Sequence, residues 1–150
     1  MTTTDKSAAK VQPYLFFDGR CEEALEFYKK ALGAKVGMLM RFKDSPEQPK
    51  SGDGCGGAGG SPDKVMHAEF TVGNTSILAS DGECGGKPEF RGFSLSLTVV
   101  NEAEAERVFA AIGEGGQVQM PLMKTFFSAS FGMVADQFGV NWMVYVAAPA

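Results

Sequence analysis

His67 and Glu69 are the side chains whose types and spacing could do acid–base chemistry. They lie two residues apart in Val65–Val72, which alternates between apolar and polar residues as a strand does. Both side chains are therefore expected on one face, together with Val65 and Thr71. A carboxylate favours the charged form of a nearby imidazole, so the pair could share a proton or bind a polar ligand. The alternative is a structural hydrogen-bonding pair, or a histidine that faces water.

Small polar residues recur on one face of two further predicted strands. Over 93–100, the residues Ser94, Ser96 and Thr98 alternate with Phe93, Leu95, Leu97 and Val99. In the last strand, Asn141 alternates with Trp142. If these faces are concave, Ser94, Ser96 and Asn141 would lie across a cavity from His67 and Glu69. Core packing is the favoured interpretation for the aromatic residues Trp142, Phe126, Phe127 and Phe138. Trp142 could alternatively line an apolar pocket. For the serines, a solvated outer face is the alternative.

Two amphipathic helices must position these strands. Residues 20–32 place Leu25, Tyr28 and Leu32 on one face, and Gly33 is suited to the C-cap. Residues 102–113 repeat this spacing after Asn101, which together with Glu104 resembles a capping box. The first strand, over 11–17, is rich in aromatic residues without clean alternation, so both of its faces are expected to be covered.

The two halves of the chain form a weak internal repeat. When the second half is laid over the first, Ala105, Val108 and Phe109 fall on Ala24, Phe27 and Tyr28. We therefore expect an α+β fold of two βαβββ modules, at about 11–80 and 92–147, within one domain spanning 1–150. The glycine-rich stretch 43–64 has no hydrophobic period and is expected to be a flexible loop near the mouth of the cavity.

Composition narrows the class of protein. The net charge of −4, without a cluster of basic residues, argues against nucleic-acid binding. No apolar run approaches the ~20 residues that span a bilayer, which argues against a membrane partner. The polar start predicts no secretory signal. Three widely spaced cysteines favour free thiols in a reducing compartment. These features together predict a cytoplasmic protein.

A family resemblance covers nearly the whole chain. Its motifs are Pro13-Tyr14-Leu15, His67-Ala68-Glu69, Ser80-Asp81, Gly92-Phe93-Ser94-Leu95 and Asp136-Gln137-Phe138-Gly139-Val140-Asn141-Trp142-Met143. With them the chain resembles the PhnB-like branch of the vicinal oxygen chelate superfamily, which includes glyoxalase I, bleomycin-resistance proteins and extradiol dioxygenases. The resemblance implies paired βαβββ modules, curled mixed sheets around a cavity, a small-molecule ligand and a homodimer.

The resemblance also implies where a metal would be held in metal-using members. The ligand positions fall at Gln12 or Pro13, near Ser94, and near Met143. Proline has no side-chain ligand atom, serine is a poor ligand, and a thioether suits soft copper rather than Mg, Mn, Ni or Zn. We therefore expect no metal and no other cofactor, although a site of carboxylate or glutamine ligands stays open.

Three functions compete. The first is a metal-independent small-molecule-binding protein, with or without catalysis, and the second is a metal-dependent lyase, isomerase or dioxygenase. The third is a drug-sequestering resistance protein without catalysis. Members of the branch are also labelled ubiquinone-pathway methyltransferases. The sequence lacks the strand, glycine loop and helix typical of nucleotide-like donor sites, so that label is set aside.

Overall fold

The computed structural model describes residues 9–44, 62–82 and 89–147. The first half contains β1 (Tyr14–Phe16), α1 (Cys21–Leu32), β2 (Lys35–Arg41), a short 3₁₀ helix (Phe42–Asp44), β3 (Val65–Val72) and β4 (Thr75–Ser80). The second half contains β5 (Leu95–Val99), α2 (Glu102–Gly113), β6 (Gln117–Met123), β7 (Phe131–Ala135) and β8 (Asn141–Val146). Both predicted helices are confirmed.

Each half forms one mixed four-stranded sheet. The first sheet has the strand order β1-β4-β3-β2, and the second has the order β5-β8-β7-β6. In each sheet the first strand of the half pairs parallel with the last, and the other neighbours are antiparallel. The predicted α+β fold of two βαβββ modules is therefore confirmed.

Corresponding elements of the two halves are equally far apart in the sequence at the start of each half. The number of residues from the start of β1 (Tyr14) to the start of β5 (Leu95) equals the number from the start of α1 to the start of α2. The offset between Thr75 and Asn141, where β4 and β8 begin, is shorter. The first half is thus the longer one, and its extra residues fall between β2 and β3. Most of the predicted 43–64 loop, residues 45–61, lies outside the described residues.

Helix α1 lies between the two sheets. The Tyr28 ring stacks on Phe70 of β3, with centroids 5.6 Å apart, and makes an edge contact with Trp142 of β8, also at 5.6 Å. Tyr28 is fully buried, and one apolar cluster contains residues of both sheets. We call the sheet surfaces on this side the core faces. We call the opposite surfaces of the two sheets the open faces.

The residues at the end of α1 and at the start of α2 cap the helices as their types predict. Gly33 ends α1 in the left-handed conformation (φ 67°), and its N–H donates to the Lys29 carbonyl. At α2, the Asn101 side chain accepts a hydrogen bond from the Glu104 N–H at 2.8 Å. The predicted capping box is only half formed, because the Glu104 carboxylate pairs with Arg107 instead.

Three predictions about burial are wrong. Phe126 is fully exposed and Phe127 is 45% exposed, because they lie in the connection before β7 rather than in a strand. Tyr14 and Phe16 are also exposed, so only one face of β1 is covered. Phe93 precedes β5 and is exposed, whereas Leu95, Leu97 and Val99 pack on the core as predicted.

The alternation predicted for β3 fails at its start. Strict alternation predicts Val65 on the same face as His67. In the structure Val65 is instead buried on the core face, together with Ala68 and Phe70. The register explains the change, since Met40 pairs with His67 and Arg41 with Val65, which leaves Met66 as an extra residue. Such a bulge shifts the residues before it to the opposite face.

Candidate functional site

The open face of the first sheet contains His67 and Glu69. The Tyr14 hydroxyl lies 2.9 Å from His67 Nδ1, and the tautomer decides which of the two donates the hydrogen bond. The rings are tilted, with centroids 5.5 Å apart. Since β4 lies between β1 and β3, the Tyr14 side chain reaches across β4 to the imidazole. Sequence reasoning missed Tyr14, because this contact depends on the strand order.

Glu69 has a partner of its own. The Ser76 hydroxyl donates to Glu69 Oε2 at 2.6 Å. This hydrogen bond lowers the pKa of Glu69, with further contributions from Gln12, Lys10 and His67, so the carboxylate is ionised at neutral pH. His67 and Glu69 thus share a face, as predicted, but each bonds to a different neighbour. The contacts do not show a direct imidazole–carboxylate pair.

The open face of the second sheet is rich in aromatic and thioether groups. Across it, Ser96 pairs with Met143, and Met143 pairs with Met133 of β7. A depression of about 480 Å³ on this face is lined by Ser96, Phe127, Phe131, Met143, Tyr145 and Ala147. It therefore combines an apolar floor with the hydroxyls of Ser96 and Tyr145.

The other predicted site residues lie elsewhere. Ser94 and Ser96 both line a recess of about 230 Å³, together with Pro13 and Thr75 of the first half and Trp142 of the second. The Asn141 amide donates to the Phe90 carbonyl at 2.9 Å and accepts from Gln119 at 3.0 Å. Trp142 is 2% exposed and packs in the core. Its indole and the Asn141 amide are thus engaged in holding the second sheet.

No described contact joins His67 or Glu69 to Ser96 within one chain. His67 and Glu69 lie opposite the core face that carries Phe70, and Ser96 lies opposite the core face that carries Trp142. Tyr28 of α1 contacts both Phe70 and Trp142. Tyr28 therefore packs between the two core faces, on the side of each sheet opposite to His67, Glu69 and Ser96.

A buried carboxylate that sequence reasoning missed joins the two modules. Asp136 Oδ2 accepts from the Tyr28 hydroxyl at 2.5 Å and from Trp142 Nε1 at 3.0 Å. Asp136 Oδ1 accepts from the backbone N–H groups of Phe138 and Val140. Burial raises the pKa of Asp136, and these four donors act in the opposite direction. Burial, together with this carboxylate, also raises the pKa of Tyr28.

The ligand positions implied by the resemblance carry few groups that bind hard divalent ions. Gln12 or Pro13, Ser94 and Met143 supply no carboxylate or imidazole, the groups that hard or borderline divalent ions prefer. Within 9–44, 62–82 and 89–147, no three His, Cys, Asp or Glu side chains are grouped closely enough to hold an ion. Both described helices have 12 residues, and neither is long and apolar enough to cross a membrane.

Comparison with known proteins agrees with this fold. Residues 9–145 match the model of a family described as 3-demethylubiquinone-9 3-methyltransferase. The chain is 33% identical over 138 residues to protein YjdN of Escherichia coli (strain K12), covering 91% of this chain and 94% of that protein. Protein PA1353 from Pseudomonas aeruginosa is 43% identical, with a TM-score of 0.77 and coverage of 93% of this chain and 98% of that one.

Two further solved structures place the fold in its wider class. A PhnB protein from Bacillus cereus is 28% identical, with a TM-score of 0.73 and coverage of 93% and 100% of the two chains. A glyoxylase/bleomycin resistance protein/dioxygenase domain from Frankia sp. EAN1pec is 15% identical, with a TM-score of 0.60 and coverage of 97% and 100%. The second likeness concerns the fold alone.

Proposed function

The chain belongs to the PhnB-like family whose model is described as 3-demethylubiquinone-9 3-methyltransferase, on the glyoxalase and bleomycin-resistance fold, and on that premise we propose that it binds a small molecule on the open faces of its sheets. One observation carries the proposal. The side chains of the core faces are buried in the hydrophobic core with those of α1. Each open face instead presents polar groups beside exposed aromatic or methionine side chains. Such mixed surfaces are typical of ligand sites.

A second copy of the chain would complete the site. Tyr14, Phe16 and Met38 are exposed on the first sheet, and Met120, Met123 and Phe127 are exposed on or beside the second. A homodimer that sets the first sheet of one copy against the second sheet of the other would cover both apolar surfaces. It would also place His67 and Glu69 of one copy across from Ser96 of the other.

The ligand expected there has a polar end and an apolar body. The Tyr14–His67 pair can donate or accept a hydrogen bond, and ionised Glu69 accepts from a donor on the ligand. The opposing depression offers Phe131 and Met143 as an apolar floor, with hydroxyls from Ser96 and Tyr145. Such a cavity could hold the ligand without a metal ion.

Sequestration without catalysis is the second candidate. It is favoured by the aromatic and thioether lining of the second open face and by the misfit of Pro13, Ser94 and Met143 to a catalytic metal. A metal-dependent lyase, isomerase or dioxygenase would need a site of carboxylate or glutamine ligands instead. Methyl transfer from a nucleotide-like donor is not proposed, since the sheets have the mixed order given above rather than a doubly wound parallel order.

Native mass spectrometry of untagged protein tests the proposal. We expect a small molecule to copurify. We expect His67→Ala to reduce its occupancy about tenfold, as the loss of one hydrogen bond to the ligand can do. Lys35→Ala, at the start of β2, is the matched surface control. Unchanged occupancy in both His67→Ala and Ser96→Ala would contradict the proposal. Stoichiometric Ni, Zn, Mn or Fe in the same sample would favour the metal-dependent alternative.

A further inference from the structure

A cleft of about 550 Å³ lies between the two helices, away from both open faces. Its walls are formed by Phe27, Lys30 and Ala31 of α1, by Ala111, Glu114 and Gly115 at the end of α2, and by Gln137 between β7 and β8. This volume is within the range of small-molecule sites, which is roughly 300–1,000 Å³. The cleft is separate from the site proposed above.

Small residues keep the cleft open. Ala31 and Ala111 line it from the two helices, and Gly115 has a left-handed conformation (φ 77°). A Cβ on Gly115 would lie 3.2 Å from Gln137 Oε1, so a larger residue would displace that amide. Phe27 is held edge-on against Phe138, with ring centroids 5.7 Å apart. The cleft therefore has an apolar floor with a polar amide beside it.

Two unpaired charges of opposite sign flank this floor. Lys30 comes from the α1 wall and Glu114 from the α2 wall, and neither side chain has an ion-pair or hydrogen-bond partner among the described residues. By contrast, the adjacent Lys29 pairs with Glu26 at 3.1 Å. The carbonyl end of α2 adds partial negative charge on the side of Glu114. One wall thus favours an anionic group and the other favours a cationic group.

We propose that this cleft binds a free α-amino acid with an apolar side chain. Its carboxylate would bind Lys30, with the Gln137 amide as a further donor, and its ammonium group would bind Glu114. The side chain would pack on Phe27, Ala31 and Ala111. A purely anionic ligand would be opposed by Glu114, and a purely cationic one by Lys30. A zwitterion satisfies both walls.

Isothermal titration calorimetry with L-leucine at neutral pH tests the inference. We expect saturable binding in the millimolar range or tighter. We expect at least about tenfold weaker binding of 4-methylpentanoate, which lacks the ammonium group, and of 3-methylbutylamine, which lacks the carboxylate. Absence of saturable heat with both L-leucine and L-phenylalanine up to about 10 mM would overturn the inference. Equal binding of leucine and either analogue would also overturn it.

Substitutions in the cleft test whether leucine binds there. Lys30→Gln and Glu114→Gln should each weaken leucine binding about tenfold, while Lys29→Gln, on the preceding residue of the same helix, should leave it unchanged. Ala111→Leu should fill the floor and abolish binding, with retained helicity in circular dichroism as the check on folding. Because Lys30 and Glu114 are exposed, their variants remain informative even if Ala111→Leu fails to fold. Unchanged leucine affinity in both charge variants would contradict the assignment.

Discussion

Asp136 shows how one side chain can fix the relation between two modules. Its four hydrogen-bond donors come from α1, from the turn before β8 and from β8 itself. The carboxylate is 3% exposed, and these donors satisfy it without an ion-pair partner among the described residues. The arrangement also sets the position of β8, whose Met143 and Tyr145 line the second open face.

Replacing Asp136 with Asn should therefore be costly. An amide group at either oxygen position would direct N–H groups at existing donors, so we expect a loss of about 3 kcal/mol in the free energy of unfolding. Chemical denaturation measures it. Asp63→Asn is the matched control, since its pair with Lys43 is exposed to solvent and should contribute little. Equal losses in the two variants would contradict this role for Asp136.

The Ser76–Glu69 hydrogen bond makes a prediction about pH. Because the pKa of Glu69 is lowered in the folded state, its contribution to stability is present above the pKa of the unfolded chain and is lost as the pH falls through the folded value. Ser76→Ala should raise the pKa of Glu69 towards its ordinary value. An NMR titration of the Glu69 carboxyl carbon measures this shift, with Ser96→Ala on the other sheet as the control. An unchanged titration midpoint would show that Ser76 is not the cause.

At the residue scale, sequence alone predicted part of the arrangement of the candidate site. The shared face of His67 and Glu69 followed from strand alternation, which needs only the local chain. Their partners Tyr14 and Ser76 did not, because these contacts depend on which strands are neighbours and in what register. Asp136 was missed for a similar reason, since its donor Tyr28 lies 108 residues away in the chain.

At the scale of elements, helices were more predictable than strand faces. The bounds of α1 and α2 follow from apolar spacing and end signals, which are local. The β3 bulge at Met66 and the exposure of Phe126 depend on pairing and on connections, which the pattern of residue types does not encode.

The Asn101 cap offers a test at this scale. Asn101→Ala removes the acceptor for the Glu104 N–H and should lower the free energy of unfolding by about 1 kcal/mol. Thermal or urea denaturation measures the loss. Because Asn101 and the first turn of α2 line neither open face, ligand occupancy should stay unchanged. Glu104→Gln should cost less, since its side chain pairs only with exposed Arg107. A larger loss from Glu104→Gln than from Asn101→Ala would contradict this account of the cap.

At the scale of the whole molecule, the decisive feature is the direction of the two open faces. The repeat predicted two similar modules, but amphipathic patterns do not say whether two modules pack through their helices or edge to edge. Within one chain, Tyr28 of α1 contacts the core faces of both sheets. The pairing of the open faces between copies follows as a proposal from their exposed aromatic and methionine side chains.

The mass of the protein in solution tests the proposed two-copy site most directly. Multi-angle light scattering of untagged protein at micromolar concentration should give about twice the chain mass of 15.9 kDa. Phe16→Glu should shift the mass towards that of one chain, because it places a charge on the apolar part of the first open face. A mass of 15.9 kDa for the unmodified protein at micromolar concentration would contradict the two-copy site.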